Sequence, residues 1–250
     1  MRKFLSTESR EALWYNSKVG FITLLFAFPP YGIVNHLYYD RPAVNLAIPV
    51  DHWLPFNHYW ILVYAWVYVF LFLPIFIVRG KESFRYVARG YIMLNLVSVA
   101  IFVIMPARYP RPEIPTQDEF LWWGTALNYL LDKPVNCFPS LHVGNAFFAS
   151  MIAYHYRKRV GLIAWFMATL ISVSTLYMKQ HFVADIAMGF VLAFSVYRFY
   201  FKPRAYTTND QSMLPEWMSL GVVAIYLGFV GSMYTLFALG VKLPLDKIVR

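Results

Sequence analysis

Residues 136 to 148 read NCFPSLHVGNAFF, placing a proline, a serine and a titratable imidazole at the mouth of an apolar run that continues to residue 156. Pro139-Ser140 fits a helix start, with Ser140 as N-cap or first-turn residue. The backbone N–H groups that follow would then point out of the helix end, where anions are held. An ionisable side chain at membrane depth is costly and marks a functional candidate, so His142 asks for an explanation. The plain alternative is an interfacial histidine reaching for water.

The rest of the chain makes the membrane the natural solvent. Of 250 residues, 59% are hydrophobic, 20% aromatic and only 14% charged, with a mean hydropathy of +0.48. A soluble domain has about 45–50% apolar and about 25% charged residues. Seven segments approach the roughly 20 apolar residues that a span needs: 19–38, 58–78, 86–105, 139–156, 160–178, 181–201 and 217–240. The first carries FPPYG at 28 to 32, where two prolines should kink or break the helix. The expected fold is therefore all-α, a polytopic bundle of six to seven transmembrane helices forming one domain over residues 1–250. The polar N-terminus is too long for a secretory signal peptide, so the first span is expected to be retained.

The formal charge is +9, but the basic residues are dispersed among short connections, which argues against nucleic acid and fits topology signals and anionic headgroups. Lys and Arg are denser in the N-terminal segment (Arg2, Lys3, Arg10, Lys18) and in alternate connections near 79–85, 157–159 and 198–204 than in the others, which include Arg250 at the C-terminus. That bias puts the N-terminus in the cytoplasm. The longest connection, 106–138, contains DEFLWWGTALNYLLD at 118 to 132, with Leu121, Trp122, Leu127, Leu130 and Leu131 at helical spacings. A short interfacial helix is expected there. A single cysteine, Cys137, excludes an internal disulfide and reads as a small packing residue.

On this topology three polar segments share the non-cytoplasmic face: ARYPRPE at 107 to 113, FPSLHV at 138 to 143, and STLYMKQHFVAD at 174 to 185. His181 and Asp185 are four residues apart at the start of an apolar helix, so they would share one face. A carboxylate beside an imidazole fixes its tautomer and supports a nucleophilic or general-base role; the alternative is a helix-capping Asp beside an interfacial His. Arg108 and Arg111 flank a stiff YPRP turn and suit phosphate recognition, although Arg108 could equally anchor a headgroup. Lys179 reads as a second phosphate contact or another anchor. One anion cradle, two histidines, one carboxylate and several cations together point to phosphoryl transfer. A transporter lined by these groups and a metal site of His142, His181 and Asp185 are the competing classes.

These motifs resemble the type 2 phosphatidic acid phosphatase (PAP2) superfamily, whose pattern is Lys-x6-Arg-Pro, Pro-Ser-Gly-His and Ser-Arg-x5-His-x3-Asp. Here Arg111-Pro112, PSLH at 139 to 142, and Ser174, His181 and Asp185 match in order and spacing. Leu141 stands for the glycine, Ile104 for the lysine and Thr175 for the arginine. FPSLH with KQHFVAD looks most like the branch of inositol phosphorylceramide synthases and related bacterial proteins. The resemblance covers about residues 86–201. It implies a helical membrane core, no cofactor, and a metal-independent route through a phosphohistidine on a lipid phosphate in the bilayer. It further implies His181 as nucleophile, Asp185 as its orienting partner, His142 as the proton donor, and Ser140 and Arg111 as phosphate contacts, in a bacterial inner membrane.

Overall fold

The computed structural model describes residues 6–37, 40–207 and 212–248. Its first helix, α1 (Thr7–Leu37), starts well before residue 19 and passes through Pro29 and Pro30. The break expected at 28 to 32 does not occur. Proline is tolerated in a membrane helix where neighbouring groups hold it, and here the far end is tied down: Asn35 donates to the Lys133 carbonyl at 2.9 Å and Tyr31 to the Asp132 carboxylate. The end of the expected span at residue 38, and Arg2, Lys3 and Arg250 of the charge pattern, lie outside the described residues.

After the short α2 (Pro49–Trp53), the segment expected as one span over 58–78 is instead a succession of turns: His58–Trp60, α3 (Ile61–Tyr64), α4 (Val67–Phe70) and Leu73–Phe76. Its sequence is dense in aromatic and β-branched residues, which lose side-chain freedom in a helix, and Pro74 removes a donor. Burial of Tyr64, Val67, Val69, Phe70 and Leu73 holds it in place. Then follow α5 (Lys81–Ile104), α6 (Phe120–Leu131), α7 (Leu141–Tyr156), α8 (Lys158–Tyr177) and α9 (Val183–Ser195). A π-helical stretch, Val196–Phe201, carries α9 into α10 (Lys202–Thr207), and α11 (Gly221–Ala238) ends the bundle.

Five of the described helical stretches are long and apolar enough to cross a bilayer: Thr7–Leu37, Lys81–Ile104, Lys158–Tyr177, Val183–Tyr206 and Glu216–Ala238. The protein is an all-helical integral membrane protein. Its outer surface exposes Phe21, Phe26, Ile163, Phe166 and Leu227, an apolar exterior that lipid, not water, can solvate. Helix α7 is the inner element. At 1.5 Å per residue its 16 residues reach only about 24 Å, short of a full span of about 30 Å, but it is buried on nearly every side. A helix apolar all round belongs in a core, and Phe147, Phe148, Met151 and Ile152 fill this one.

Helices α7 and α9 meet backbone to backbone at the end that carries the motifs. A Cβ added at Gly189 would sit 2.4 Å from the Ser140 carbonyl oxygen, and one at Gly144 would sit 3.4 Å from the Gly189 carbonyl. The helix over 118–132 is present as α6, with a different face inward. Trp123, Ala126 and Tyr129 are buried while Leu131 is exposed, because the Trp123 indole donates to the Val241 carbonyl at 2.7 Å and the Tyr129 hydroxyl to Met178 at 2.7 Å. Polar tips with buried partners set the rotation of α6, and a count of leucines does not see them.

Candidate active site

Three extended pieces of chain line up where the motifs converge. Val44 N–H donates to the Pro106 carbonyl (2.8 Å), Arg108 N–H to Val44 (3.1 Å), Cys137 N–H to Ala107 (3.3 Å) and Tyr109 N–H to Pro134 (3.2 Å). The Tyr109 ring packs on Phe182 with centroids 4.3 Å apart. Ser140 N–H donates to the Asp185 carbonyl at 3.0 Å, so the α7 cap is tied directly to the first turn of α9.

Ser140 is the N-cap of α7, its hydroxyl oxygen accepting from Val143 N–H at 3.3 Å. His142 therefore sits in the first turn. His181 does not lie within α9, as the shared-face reading expected; it precedes the N-cap residue Phe182, and Asp185 occupies the third position of the first turn. Both functions considered for Asp185 coexist, because its Oδ2 accepts from Phe182 N–H (2.9 Å), capping the helix, and meets His181 Nδ1 at 3.2 Å. The reach is made by a cap, not by one turn of helix.

The hydrogen-bond chain fixes the tautomers. Asp185 as a carboxylate only accepts, so His181 carries its proton on Nδ1 and leaves the Nε2 lone pair free to accept. That lone pair faces His142 Nδ1 at 2.9 Å, so His142 donates from Nδ1. Its Nε2 then meets the Tyr64 hydroxyl at 3.3 Å. Tyr64 can donate to a neutral His142 and accept from an imidazolium, so it serves either charge state. His181 and Asp185 are buried and His142 is partly open. Asp185 Oδ1 is buried without a hydrogen-bond partner among the described residues.

Arg111 is buried beside this chain. Its guanidinium donates to the Tyr129 carbonyl (3.2 Å), to the Asp132 carbonyl and to Gln180 Oε1, and lies 4.5 Å over the Tyr129 ring. Its Nε is buried with no partner among the described residues. Gln180 passes the tie on to Asn128, and Asn128 to the Tyr68 hydroxyl. Arg108 is held on the same extended segment by its backbone bond to Val44. The Lys179 ammonium donates to the Asp51 (3.2 Å) and Leu54 carbonyls, and Lys179 itself has a φ of 52°. Burial lowers its pKa from the ordinary lysine value, against the opposing pull of Asp51. Lys179→Met is thus expected to lower Tm by several degrees while KM for a phosphorylated substrate changes less than about twofold; a large rise in KM with unchanged Tm would instead make Lys179 a substrate contact.

Of the positions that depart from the motif pattern, Ile104 is 79% exposed on the outside. Thr175 is fully buried, and its carbonyl accepts from Gln180 N–H (2.9 Å) and His181 N–H (3.4 Å). A short residue there lets the backbone hold the loop that presents His181.

A cavity of about 470 Å³ opens between α1, the broken segment around Val67 to Phe72, and α7. His142, Asn145, Tyr31 and Asp132 give it polar walls, and Phe28 and Leu71 apolar ones. The size suits a small-molecule site, in which apolar walls with a few placed polar groups are usual.

Gln180, Asn128, Tyr64 and Tyr68 of this arrangement escaped the sequence reading. Gln180 adjoins His181 in KQHFVAD, which is a signal that could have found it. Tyr64 and Tyr68 lie in an apolar run where nothing distinguishes them. Cys137 was read as packing, yet its Sγ and one ligating atom each from His181 and Asp185 all lie within 4.8 Å of one another. The metal trio considered from sequence included His142; in the structure Cys137 stands in its place.

The structure thus sets a carboxylate-held histidine against a second histidine, beside a cavity among membrane helices. The chain belongs to the PAP2 superfamily, whose family model matches residues 38–199. Membership supports an enzyme of phosphatase-type phosphoryl transfer in general terms. An uncharacterized protein of Methanocaldococcus jannaschii is 25% identical over 114 residues, covering 45% of this chain and 44% of that protein. The match thus spans less than half of that relative's length. No solved structure matches the chain.

Proposed function

We propose that the protein transfers a phosphoryl group from a lipid phosphate through a phosphohistidine at His181. The observation that carries this reading is the chain from Asp185 through His181 to His142, which presents one imidazole lone pair to a second, proton-bearing imidazole. At 2.9 Å the two rings leave no room for a phosphoryl group, so substrate binding moves His142 aside. His181 Nε2 then attacks phosphorus, and the bond to the leaving oxygen breaks as His142, held as imidazolium by the phosphate anion and by Tyr64, protonates that oxygen. In the second half-reaction His142 takes a proton from water or an alcohol, which attacks phosphorus and frees His181. Arg111, whose Nε–H has no partner among the described residues, and the Ser140 hydroxyl hold phosphate oxygens; Arg108 supports the same pocket from its margin, and Lys179 braces the loop before His181.

Water as acceptor makes the protein a lipid-phosphate phosphatase. A hydroxyl acceptor makes it a headgroup transferase like the inositol phosphorylceramide synthases, which the FPSLH form and the cation-poor motif favour. The charge bias supports a site on the non-cytoplasmic face. Purified protein in detergent, with chelator present, is expected to release phosphate from at least one of a panel of lipid phosphates, and His142→Ala to lower kcat about 10²- to 10⁴-fold. No release from any lipid, together with headgroup exchange on adding a second lipid, would select the transferase. Activity lost to chelator and restored by zinc would overturn the metal-independent route.

A further inference from the structure

We propose that Cys137, His181 and Asp185 form an inhibitory site for a thiophilic divalent cation, Zn²⁺ or Cd²⁺, that switches off the histidine next to it. The proposal concerns regulation of the site just described and rests on that reading for its effect on turnover, but not for the binding itself.

Three observations carry it. One ligating atom from each residue lies within 4.8 Å of the other two, and all three residues are buried. Tetrahedral zinc holds such ligands about 3.5 Å apart, so an adjustment of about 1 Å per side chain closes the set. Asp185 Oδ1 is fully buried and has no hydrogen-bond partner among the described residues, an anionic acceptor that the resting fold leaves unused. The Cys137 thiol donates only weakly, at 3.5 Å to the Pro134 carbonyl, a contact that a metal bond readily replaces. Thiolate, imidazole and carboxylate together suit zinc and cadmium and disfavour magnesium or calcium. One thiolate and one carboxylate also neutralise the 2+ charge, as a buried site requires.

The consequence for His181 follows from proton balance. Its Nδ1 is the ring atom that faces Asp185, and in the resting chain it bears the proton. A metal on Nδ1 needs that lone pair, so the proton moves to Nε2. His181 Nε2–H then donates to His142 Nδ1, whose own proton passes to Nε2 and is donated to Tyr64. Both imidazoles stay neutral, and the thiol proton is the only one released to solvent. The nucleophilic lone pair at Nε2 is now a bonded N–H, and attack on phosphorus is impossible. The cation inhibits by inverting a tautomer.

Because Cys137 is the only cysteine, thiolate-to-cadmium charge-transfer absorbance reports this site alone. Titrating the purified full chain with Cd²⁺, without substrate, is expected to give a band saturating at one ion per chain. Cys137→Ser and Cys137→Ala are expected to abolish it. In a lipid-phosphate assay, Cd²⁺ and Zn²⁺ are expected to inhibit the parent, reversibly by chelator, and both variants to keep their metal-free rate while losing sensitivity at least tenfold. No saturating band in the parent, or equal inhibition of parent and variants, overturns the proposal. A band without turnover of any lipid phosphate leaves the metal site standing and removes the functional reading; stimulation of turnover by either ion overturns the inhibitory role and leaves phosphoryl transfer standing.

Discussion

His181→Asn is expected to reduce turnover by about 10⁴-fold or more, a loss of at least about 5.4 kcal/mol of transition-state stabilisation. The proposed attack needs an oriented lone pair, and the geometry is compatible with one: Asp185 Oδ2 fixes the proton on Nδ1, and the freed Nε2 faces the proton-bearing His142. Asparagine preserves polarity and approximate size but cannot offer a lone-pair nitrogen, because its amide nitrogen is conjugated. A phosphorus–nitrogen bond survives alkali and breaks in acid, so parent protein incubated with ³²P-labelled lipid phosphate and quenched in alkali is expected to retain label that acid then removes. The variant is expected to retain none. Label of the same acid lability in His181→Asn would show that the phosphoryl group resides elsewhere. Asp185→Asn makes the complementary case. Its side-chain oxygen can still cap Phe182, but a neutral amide gives a poorer hold on the Nδ1 proton, so kcat is expected to fall about 10³- to 10⁴-fold with the phosphoenzyme still detectable.

The membrane class and the convergence of three segments were legible because they rest on signals that survive folding: apolar runs, proline and cation placement, and motif order. What was not legible depends on partners distant in sequence. The stretch over 58–76 has the apolar content of a span, and its aromatic and β-branched density alone does not show that it folds as turns around Tyr64. The rotation of α6 is decided by Trp123 and Tyr129 finding carbonyls at Val241 and Met178, contacts with no local trace. His181 and Asp185 were paired correctly for the wrong geometric reason: their spacing suggested a helix face, and the structure uses a cap. Lys179 shows the same limit from the other side. Its position two residues before His181 suggests a phosphate contact, while its ammonium is occupied by two carbonyls near α2.

Gly189→Ala is expected to lower kcat about 10²-fold in a protein that still folds. An added Cβ would lie 2.4 Å from the Ser140 carbonyl oxygen, 3.3 Å from its carbon and 3.4 Å from Gly144 N. All three are backbone atoms, which cannot rotate away as a side chain can. That carbonyl accepts from Gly144 N–H at 2.9 Å, inside the first turn of α7, while Ser140 N–H is bonded to Asp185. Displacing Ser140 from α9 therefore strains both ties and shifts His142, two residues on, relative to His181. A misplacement of about 1 Å in a reacting pair costs about 10²-fold in rate. The overpacking itself costs about 1–3 kcal/mol, offset by about 1 kcal/mol of helix propensity that alanine gains over glycine, so Tm moves modestly while turnover collapses. Gly228→Ala in α11 is the matched control. Nothing lies within 4 Å of its added Cβ, and both Tm and turnover are expected to stay at or above the parent's. Parent-like turnover in Gly189→Ala would show that close approach of α7 and α9 does not set the histidine pair.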